Sequence, residues 1–513
     1  MKRSSYVTVC RFALVAAALA LGCASPASPP PQTAPRAVSP SAVPAATAPD
    51  PLSEPPTSVL RPSTPFPAIT HRTLPGGLEL AIVPRRGLPV LELRLLVFSG
   101  QATDGKLPGV AALAGKLLKD GGAGPWSSRE LAERTEALGA RLAIGTDRDS
   151  TRIGLGVTTG ELDQALEILA AVAEKPRFSP LEFEKLKQRE IDRVKDRART
   201  SPGWLASMVL YRELYELPVS IHPYARFDAL PDEVANIKLG DVRAWYKEHF
   251  TPENAVLVVT GDVDAATAEQ AATRAFGAWR GKKPAPPSFT EPRGPNGKKI
   301  IVVDRPGSAQ SQVFVGALGP ERKSDEYPAL MVANQILGGG VAGRLFLDVR
   351  EKRSLAYSTS SWLEEPAHGP MPLVLSAGTQ TPKTADAVAA LLEHYERMGT
   401  SAASSEELER AARFLSDSFA FKMETAGAIA DLTSRLLVLG LPDDAYDDYR
   451  RAVRNLDAQA VARTASHGYR TGSLVVVVAG DAEVVAKSLA RFGPVEVLDP
   501  EHDFTIKKTL AHE

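Results

Sequence analysis

The sequence predicts an α+β protein in which two homologous α/β-sandwich domains, related by duplication, pack helices on sheets. The chain has 513 residues, which is more than one compact domain usually holds. The pattern Val-Val-Thr-Gly-Asp at 258–262, after an apolar run, returns as Val-Val-Ala-Gly-Asp at 477–481. A repeat at such a distance indicates that one fold occurs twice and that the two halves face each other.

A second pair of matching segments supports the duplication. Pro108 opens an apolar-periodic helix that ends at Gly121, and Pro328 opens another that ends at the glycines 338–340. Longer helices are predicted at 162–174, 180–199 and 385–398. Strands with alternating apolar residues are predicted at 78–83, 92–98, 152–157, 300–303, 312–315 and 373–375. Strands and helices in groups are typical of α+β layers.

The first residues have the composition of an export signal. Lys2, Arg3 and Arg11 precede an apolar run at 12–21 that is too short to span a bilayer, so residues 1–23 are predicted to be a signal peptide. The run ends in Ala-Leu-Gly-Cys-Ala-Ser, which resembles the cleavage box of bacterial lipoproteins and makes Cys23 the expected lipidation site. Ordinary signal cleavage near Ala24 is the alternative. Because no Asp follows Cys23, the resemblance implies an outer-membrane lipoprotein of the cell envelope that faces the periplasm.

Composition also predicts the domain limits. Residues 24–68 consist mainly of Pro, Ala, Ser and Thr, so this segment cannot bury a core and is predicted to be a disordered tether. A second stretch rich in Pro and Gly, at 283–297, is interpreted as the linker between the two halves. The predicted domains are therefore 69–282 and 298–513.

Charge and cysteine content exclude several classes of function. The 60 Lys and Arg residues against 61 Asp and Glu residues give a formal net charge of −1, which provides no basic field for nucleic acid. The two cysteines, Cys10 and Cys23, both lie in the predicted signal peptide, so the domains contain no thiolate zinc site and no disulfide. No two of the eight histidines have helical i, i+3 or i, i+4 spacing, which excludes a His-pair zinc site on a helix.

Several stretches together resemble the insulinase/pitrilysin family of metallopeptidases, which includes the mitochondrial processing peptidases. They are Leu-Pro-Gly-Gly-Leu-Glu-Leu at 74–80, Gly-Val-Ala-Ala-Leu-Ala-Gly-Lys-Leu-Leu-Lys-Asp-Gly at 109–121, His-Pro-Tyr at 222–224, and the segments 246–262 and 338–357. The resemblance extends from His71 to the end of the chain. It implies a pair of similar α+β domains that close like a clam around a peptide, in agreement with the repeat.

The resemblance also implies a zinc motif, and this chain departs from it. Active members carry His-x-x-Glu-His on a helix at this point, with the Glu as general base, and a Glu on a later helix completes the metal shell. Here the matching positions hold Ala112, Gly115 and Lys116, and the last ligand is expected near Arg193 or Val194. None of these side chains donates to zinc. We therefore expect no catalytic residue and no metal or other cofactor in this chain, with zinc held by a partner subunit.

The second half retains a different pair of family residues. Arg350 and Tyr357 lie in Arg-Glu-Lys-Arg-Ser-Leu-Ala-Tyr and match the arginine and tyrosine that contact the substrate in this family. A guanidinium and a phenol both donate hydrogen bonds to a peptide carbonyl, and such donors bind more strongly as negative charge develops on its oxygen. The alternative is structural, with Arg350 at a helix C-terminus and Tyr357 at the start of a strand. Arg344 is predicted to be structural.

Other polar residues are weaker candidates. Asp147 and Asp149 form one acidic pair, and Glu364 and Glu365 form another; both pairs are interpreted as solvated turns rather than as general acids. His222, before Pro-Tyr, is predicted to have a packing role.

These observations lead to one main hypothesis for function and two alternatives. The main hypothesis is a non-catalytic, zinc-less subunit of a two-chain insulinase-family peptidase, in which Arg350 and Tyr357 bind the peptide substrate. This chain then forms half of the peptide chamber, and the partner subunit carries an intact His-x-x-Glu-His. The first alternative is a non-enzymatic binding or scaffold lipoprotein of the cell envelope. The second, a self-sufficient protease with unusual metal ligands, would require zinc-dependent cleavage by this chain alone.

Overall fold

The computed structural model describes residues 64–217 and 221–512. The predicted signal peptide, the lipidation site Cys23 and most of the predicted tether lie outside these residues. The described residues from 64 onward belong to one compact unit. In this part of the chain, we find no helix that combines the length and the apolar composition needed to cross a bilayer.

The first half of this unit contains one mixed sheet with the strand order β1-β2-β6-β3-β5-β4. Strands β2 and β6 are parallel, and the other neighbours are antiparallel. Its strands are β1 (Thr70–Thr73), β2 (Glu79–Pro84), β3 (Val90–Val97), β4 (Ala143–Thr146), β5 (Thr151–Thr158) and β6 (Ala255–Gly261). Its helices are α1 (Val110–Asp120), α2 (Ser128–Ala137), α3 (Leu162–Glu174), α4 (Pro180–Thr200), α5 (Pro202–Leu214), α6 (Pro231–Asn236), α7 (Leu239–His249) and α8 (Ala265–Phe276).

The second half contains a sheet with the strand order β13-β12-β7-β11-β8-β10-β9. Its strands are β7 (Gly297–Asp304), β8 (Gln310–Glu321), β9 (Ser358–Leu363), β10 (Pro370–Gln380), β11 (Ser473–Gly480), β12 (Val495–Asp499) and β13 (Thr505–Leu510). Its helices are α9 (Tyr327–Gly338), α10 (Thr384–Thr400), α11 (Ser405–Asp417), α12 (Ala426–Leu439), α13 (Ala445–Arg454), α14 (Ala458–Gly468) and α15 (Ala482–Leu489), together with the π-helix Leu345–Lys352.

The two sheets repeat one topology. In the first half, the spatial order β2-β6-β3-β5-β4 is matched by β7-β11-β8-β10-β9 in the second half. Strands β6 and β11 are the repeated Val-rich segments of the sequence, and both lie inside their sheets, where nearly every residue is buried. The predicted α+β fold of two homologous α/β domains is thus confirmed.

Local sequence signals explain where the helices begin. Helix α2 starts at a capping box in which Ser127 and Glu130 exchange hydrogen bonds with each other's backbone N–H groups. Helix α4 starts at Pro180, and the Ser179 side chain accepts a hydrogen bond from the backbone N–H of Glu182. Helix α3 occupies residues 162–174, as its apolar periodicity predicts.

Each half packs one of its helices on the sheet of the other half, an arrangement that we call the helix exchange. Helix α5 of the first half packs on β8 and β11 of the second sheet, where Leu210 and Leu214 contact the position of Gly316. Helix α12 of the second half packs on β3 and β6 of the first sheet, where Ala430 shares a buried cluster with Val256 and Val258. Each sheet therefore carries its own helices on one face and a helix of the other half on the opposite face. This exchange joins the two halves through apolar cores.

Candidate functional site

Helix α1 carries the positions that match the zinc motif, and Asp104 fixes its N-terminus. The Asp104 carboxylate accepts hydrogen bonds from the backbone N–H groups of Gly109 at 2.7 Å and Ala111 at 2.9 Å. These bonds satisfy N–H groups that have no partner inside the helix. Burial raises the pKa of Asp104 to about 7, against the opposing effect of the two backbone bonds.

Lys116, one of the three motif positions, forms an ion pair with helix α4. Its Nζ lies 2.5 Å from Oε2 of Glu190, whose side chain is only 13% exposed. Arg193 Nε donates to the same carboxylate at 2.6 Å, and Arg193 also bonds Asp228 at 2.9 Å. Burial acts to raise the pKa of Glu190, but the bonds from Lys116 and Arg193 outweigh it and hold that pKa below its usual value. Glu190 is therefore an ionised carboxylate between two cations.

This geometry corrects the expected place of the last ligand. The family resemblance implied a position near Arg193 or Val194, but the residue of α4 that contacts Lys116 is Glu190. Val194 is buried in an apolar cluster with Trp204, and Arg193 points its guanidinium to Glu190 and Asp228. Glu190 lies about one helical turn before Arg193, so it is close to the expected position in the sequence. Only the packing of α1 on α4 shows which turn of α4 faces Lys116.

The residues at this position do not fit a zinc ion. Ala112 and Gly115 have no donor atom, and the ammonium of Lys116 repels a cation. A Cβ atom at Gly115 would lie 2.2 Å from Oγ1 of Thr146 on β4, so a glutamate base at this position requires Thr146 to move. Among the described residues, no group of three His, Cys, Asp or Glu side chains is arranged to hold a metal ion. Among the described side chains of Ala112, Gly115, Lys116 and Glu190, only the Glu190 carboxylate is a suitable zinc donor.

Arg350 and Tyr357 lie beside the edge strand β9 of the second sheet. Arg350 belongs to the π-helix Leu345–Lys352, which packs against β9, and its guanidinium lies 4.6 Å from the centre of the Phe346 ring. Its side chain is 44% exposed, and its carboxylate neighbour is Glu351 at 3.7 Å. Tyr357 directly precedes β9 and is 53% exposed. Both side chains are thus partly exposed, Arg350 on the π-helix and Tyr357 just before β9.

Arg344, in contrast, has a structural role, as predicted. Its guanidinium forms a two-pronged bond with Glu407, at 2.7 Å and 2.8 Å, which joins the segment before the π-helix to α11. The hydrogen bond from Arg344 lowers the pKa of Glu407 to about 2. A strongly paired, half-buried guanidinium of this kind is not available to a peptide.

Two of the acidic residues interpreted as solvated turns lie instead between the two halves. Arg148 Nη1 in the β4–β5 turn lies 2.5 Å from Glu364 Oε1 after β9, and Tyr211 of α5 donates to the other oxygen of Glu364. Asp149 accepts hydrogen bonds from the Tyr224 hydroxyl and from the backbone N–H of Ala367. Burial raises the pKa of Asp149. The expectation of a solvated turn was wrong for Asp149 and Glu364, because the β4–β5 and β9–β10 turns meet.

The remaining two acidic residues differ from each other. The Glu365 side chain is only 12% exposed and lies between Arg322 at 3.1 Å and Arg435 of α12 at 2.8 Å, so the expectation of a solvated turn was wrong here as well. Asp147 is exposed and caps its own turn by accepting from the backbone N–H of Ser150, as a turn residue should. A cavity of about 390 Å³ lies at this junction, and charged residues of both halves line it.

His222 has the predicted packing role. Its ring is 2% exposed, stacks on Tyr215 with centroids 4.9 Å apart, and accepts a hydrogen bond at Nδ1 from the backbone N–H of Tyr224. Burial lowers the pKa of His222 to about 4, because the charged imidazolium loses its hydration. The ring is therefore neutral near pH 7.

The duplicated fold, the residues Ala112, Gly115 and Lys116 at the positions of the zinc motif, and the exposed Arg350 and Tyr357 point to a peptidase-like protein whose three motif side chains supply no metal donor. A family model described as Insulinase (Peptidase family M16) matches residues 89–213. A second model, described as Peptidase M16 inactive domain, matches residues 236–415. The chain belongs to the insulinase (M16) peptidase family.

Known proteins with similar sequences and structures agree with this family. The chain is 24% identical over 417 residues to the zinc protease PqqE of Helicobacter pylori, covering 78% of this chain and 89% of that protein. It is 26% identical over 307 residues to an uncharacterized zinc protease of Mycobacterium tuberculosis, covering 59% and 69% of the two chains. A crystal structure of a peptidase M16 inactive domain from Pseudomonas fluorescens matches with a TM-score of 0.74 and 25% identity, covering 81% of this chain and 98% of that one.

Proposed function

We propose that this chain is the non-catalytic subunit of a two-chain peptidase of the insulinase family, and that it binds the peptide substrate through Arg350 and Tyr357. The observation that carries the proposal is the contrast between two positions. Where the family's zinc motif falls, Lys116 forms an ion pair with Glu190. Where the family's substrate-contacting pair falls, both side chains are exposed.

The helix exchange supports a chamber formed with a second chain. Because α5 and α12 each cover part of the opposite sheet, the two halves of this chain pack on each other through apolar cores. A peptide that contacts Arg350 and Tyr357 therefore approaches the free side of β9 and the π-helix. The partner subunit, with an intact His-x-x-Glu-His, faces this side and carries the metal and the base.

In this arrangement, Arg350 and Tyr357 act as hydrogen-bond donors to the peptide. The guanidinium and the phenol bind a backbone carbonyl and stabilise the negative charge that forms on its oxygen when the peptide bond is attacked. Such donors add most where water is excluded, which requires the second chain to close over the site.

The experiment starts from a C-terminally tagged copy purified from its native membrane fraction. Mass spectrometry identifies the chains that accompany it, and cleavage of a peptide is measured with and without a chelator. The proposal predicts a stoichiometric chain with His-x-x-Glu-His and chelator-sensitive activity. Arg350→Ala and Tyr357→Phe should each lower that activity about a hundredfold or more, the loss expected for one transition-state hydrogen bond.

Lys352→Ala is the matched control, because Lys352 is exposed on the same π-helix. It should leave the activity of the assembly unchanged. Recovery of no such partner and no activity would favour the scaffold lipoprotein instead. Unchanged activity in both the Arg350 and Tyr357 variants would refute their role in substrate binding.

We also propose that the protein is a lipoprotein of the cell envelope, anchored through Cys23. The support is the export signal at 1–23 and the cysteine at its end. Metabolic labelling with palmitate should mark the wild type and not Cys23→Ala, and the variant should leave the membrane fraction. Equal labelling of both proteins, or none of either, would contradict the proposal.

A further inference from the structure

Tyr357 lies across three neighbouring strands of the second sheet. Its backbone N–H donates to the carbonyl of Gly378 on β10 at 2.9 Å, which fixes the start of β9. From there its side chain crosses β10, and its hydroxyl reaches Gln310, the first residue of β8, at 3.2 Å. The order β8-β10-β9 places these three residues side by side.

Gly378 provides the space for the Tyr357 ring. A Cβ atom at Gly378 would lie 2.6 Å from Cζ and 2.7 Å from the hydroxyl oxygen of Tyr357, and also 2.7 Å from Oγ of Ser358. Its neighbours in the ladder are Ser358 on β9 and Gln312 on β8, which do have side chains. Any side chain at residue 378 would lift the distal end of the ring from the sheet. The absence of a side chain at residue 378 therefore determines how closely the Tyr357 ring packs on the sheet.

Gln310 determines where the phenol proton points. In the structure, the Tyr357 hydroxyl donates its proton to Oε1 of Gln310. A peptide carbonyl that binds Tyr357 needs this same proton. An amide carries an acceptor oxygen and a donor nitrogen of similar size, so a half-turn of the Gln310 amide replaces Oε1 by Nε2 at the same place. Nε2 then donates to the phenol oxygen and frees the phenol proton.

We propose that Gln310 and Gly378 are positioning residues for Tyr357. This inference rests on the proposed function, because it describes how the chain presents that phenol to a peptide. Gly378 sets the position of the ring, and the Gln310 amide turns its N–H toward the phenol oxygen when a peptide carbonyl takes the phenol proton. The pair thus allows one tyrosine to be held in place both with and without a peptide.

The test measures the binding of fluorescein-labelled β-casein by fluorescence anisotropy, using the assembly purified with the tagged chain. The variants are Gln310→Met, Gln310→Glu and Gly378→Ala, each with and without Tyr357→Phe. Gly319→Ala on β8 is the matched control, because a Cβ atom there has its nearest neighbour at 3.6 Å. Thermal unfolding of every variant checks that the fold is intact.

Tyr357→Phe should weaken binding about five- to tenfold, the value of one hydrogen bond. Gly378→Ala should weaken it to a similar extent. Gln310→Glu should weaken binding more than Gln310→Met, because a carboxylate only accepts and keeps the phenol proton from the peptide. In the Tyr357→Phe background, both Gln310 substitutions should have little further effect, since the group that they position is gone.

Three outcomes overturn the inference and leave the proposed function standing, provided that Tyr357→Phe weakens binding. The first is wild-type affinity in the Gly378→Ala variant. The second is equal affinity in the Gln310→Glu and Gln310→Met variants. The third is a loss of affinity by the Gln310 substitutions that adds to the loss caused by Tyr357→Phe. Unchanged binding by Tyr357→Phe itself would instead refute the role of this tyrosine, and with it both proposals. Weaker binding by Gly319→Ala that matches Gly378→Ala would show a general effect on the sheet and also overturn the inference.

Discussion

The pair Ala112→His and Lys116→His should create a zinc site in this chain without creating a peptidase. Residues 112 and 116 are one helical turn apart, so two imidazoles project from the same face of α1. The Lys116 ammonium already lies 2.5 Å from the Glu190 carboxylate, so an imidazole at residue 116 faces that oxygen. Two imidazoles and one carboxylate are the three protein donors of common catalytic zinc sites.

The expected stabilisation follows from mass action. Removing the Lys116 ammonium costs at most about 1 kcal/mol, because that side chain is 40% exposed and water screens the pair. Zinc at a hundred times its dissociation constant then contributes about 2.7 kcal/mol to the free energy of unfolding. Calorimetry on the variant from residue 24 onward should show a melting temperature that rises by a few degrees with zinc and returns with a chelator.

Two further variants test the reasoning. Glu190→Gln in the double-histidine background should abolish the response to zinc, because it removes the anionic donor. The wild type should show no response. A rise of equal size in the wild type, or one that survives Glu190→Gln, would refute the assignment of Glu190 to this position. The double-histidine variant should cleave no peptide, since Gly115 supplies no base and Thr146 blocks a larger residue there.

Three other predictions concern stability, measured by urea unfolding. Leu210→Ala, in the core between α5 and the second sheet, should cost about 2–5 kcal/mol, whereas the exposed Leu181→Ala should change little. Arg148→Met should cost about 2 kcal/mol, because it leaves Glu364 without its cation at the junction of the halves, and Arg86→Ala, in an exposed pair, should cost less than about 1 kcal/mol. The pKa of His222 is lowered to about 4 in the folded chain and is about 6.5 in the unfolded chain. The stability that the neutral His222 ring contributes is therefore complete above about pH 6.5 and is lost as the pH falls toward 4. His222→Asn should flatten this pH dependence; equal slopes for both proteins would contradict it.

The helix exchange has a consequence for the folding of the chain. Helix α5 completes the core of the second sheet, and α12 covers the first sheet. Separated halves would expose these apolar faces to water. We therefore expect the two halves to unfold in one transition, despite the repeat in the sequence.

The sequence by itself determined the features that depend on residue identity and local spacing. The repeat at 258–262 and 477–481 predicted two copies of one fold, and the structure has both segments as central strands. The identities of Ala112, Gly115 and Lys116 were enough to exclude zinc donors, because a donor atom is a property of the side chain itself. Apolar periodicity predicted α3 and the start of α4 for the same local reason.

Only the tertiary structure decided which distant residues meet. Glu190 faces Lys116 because α4 packs on α1, whereas the family resemblance implied a ligand position about one turn later in α4. Glu364 and Asp149 are half-buried rather than solvated because two turns from different halves meet there. The contact of Tyr357 with Gln310 likewise depends on β10 lying between their strands. Such contacts arise from the packing of whole elements, and a local pattern of residues contains no information about which elements pack together.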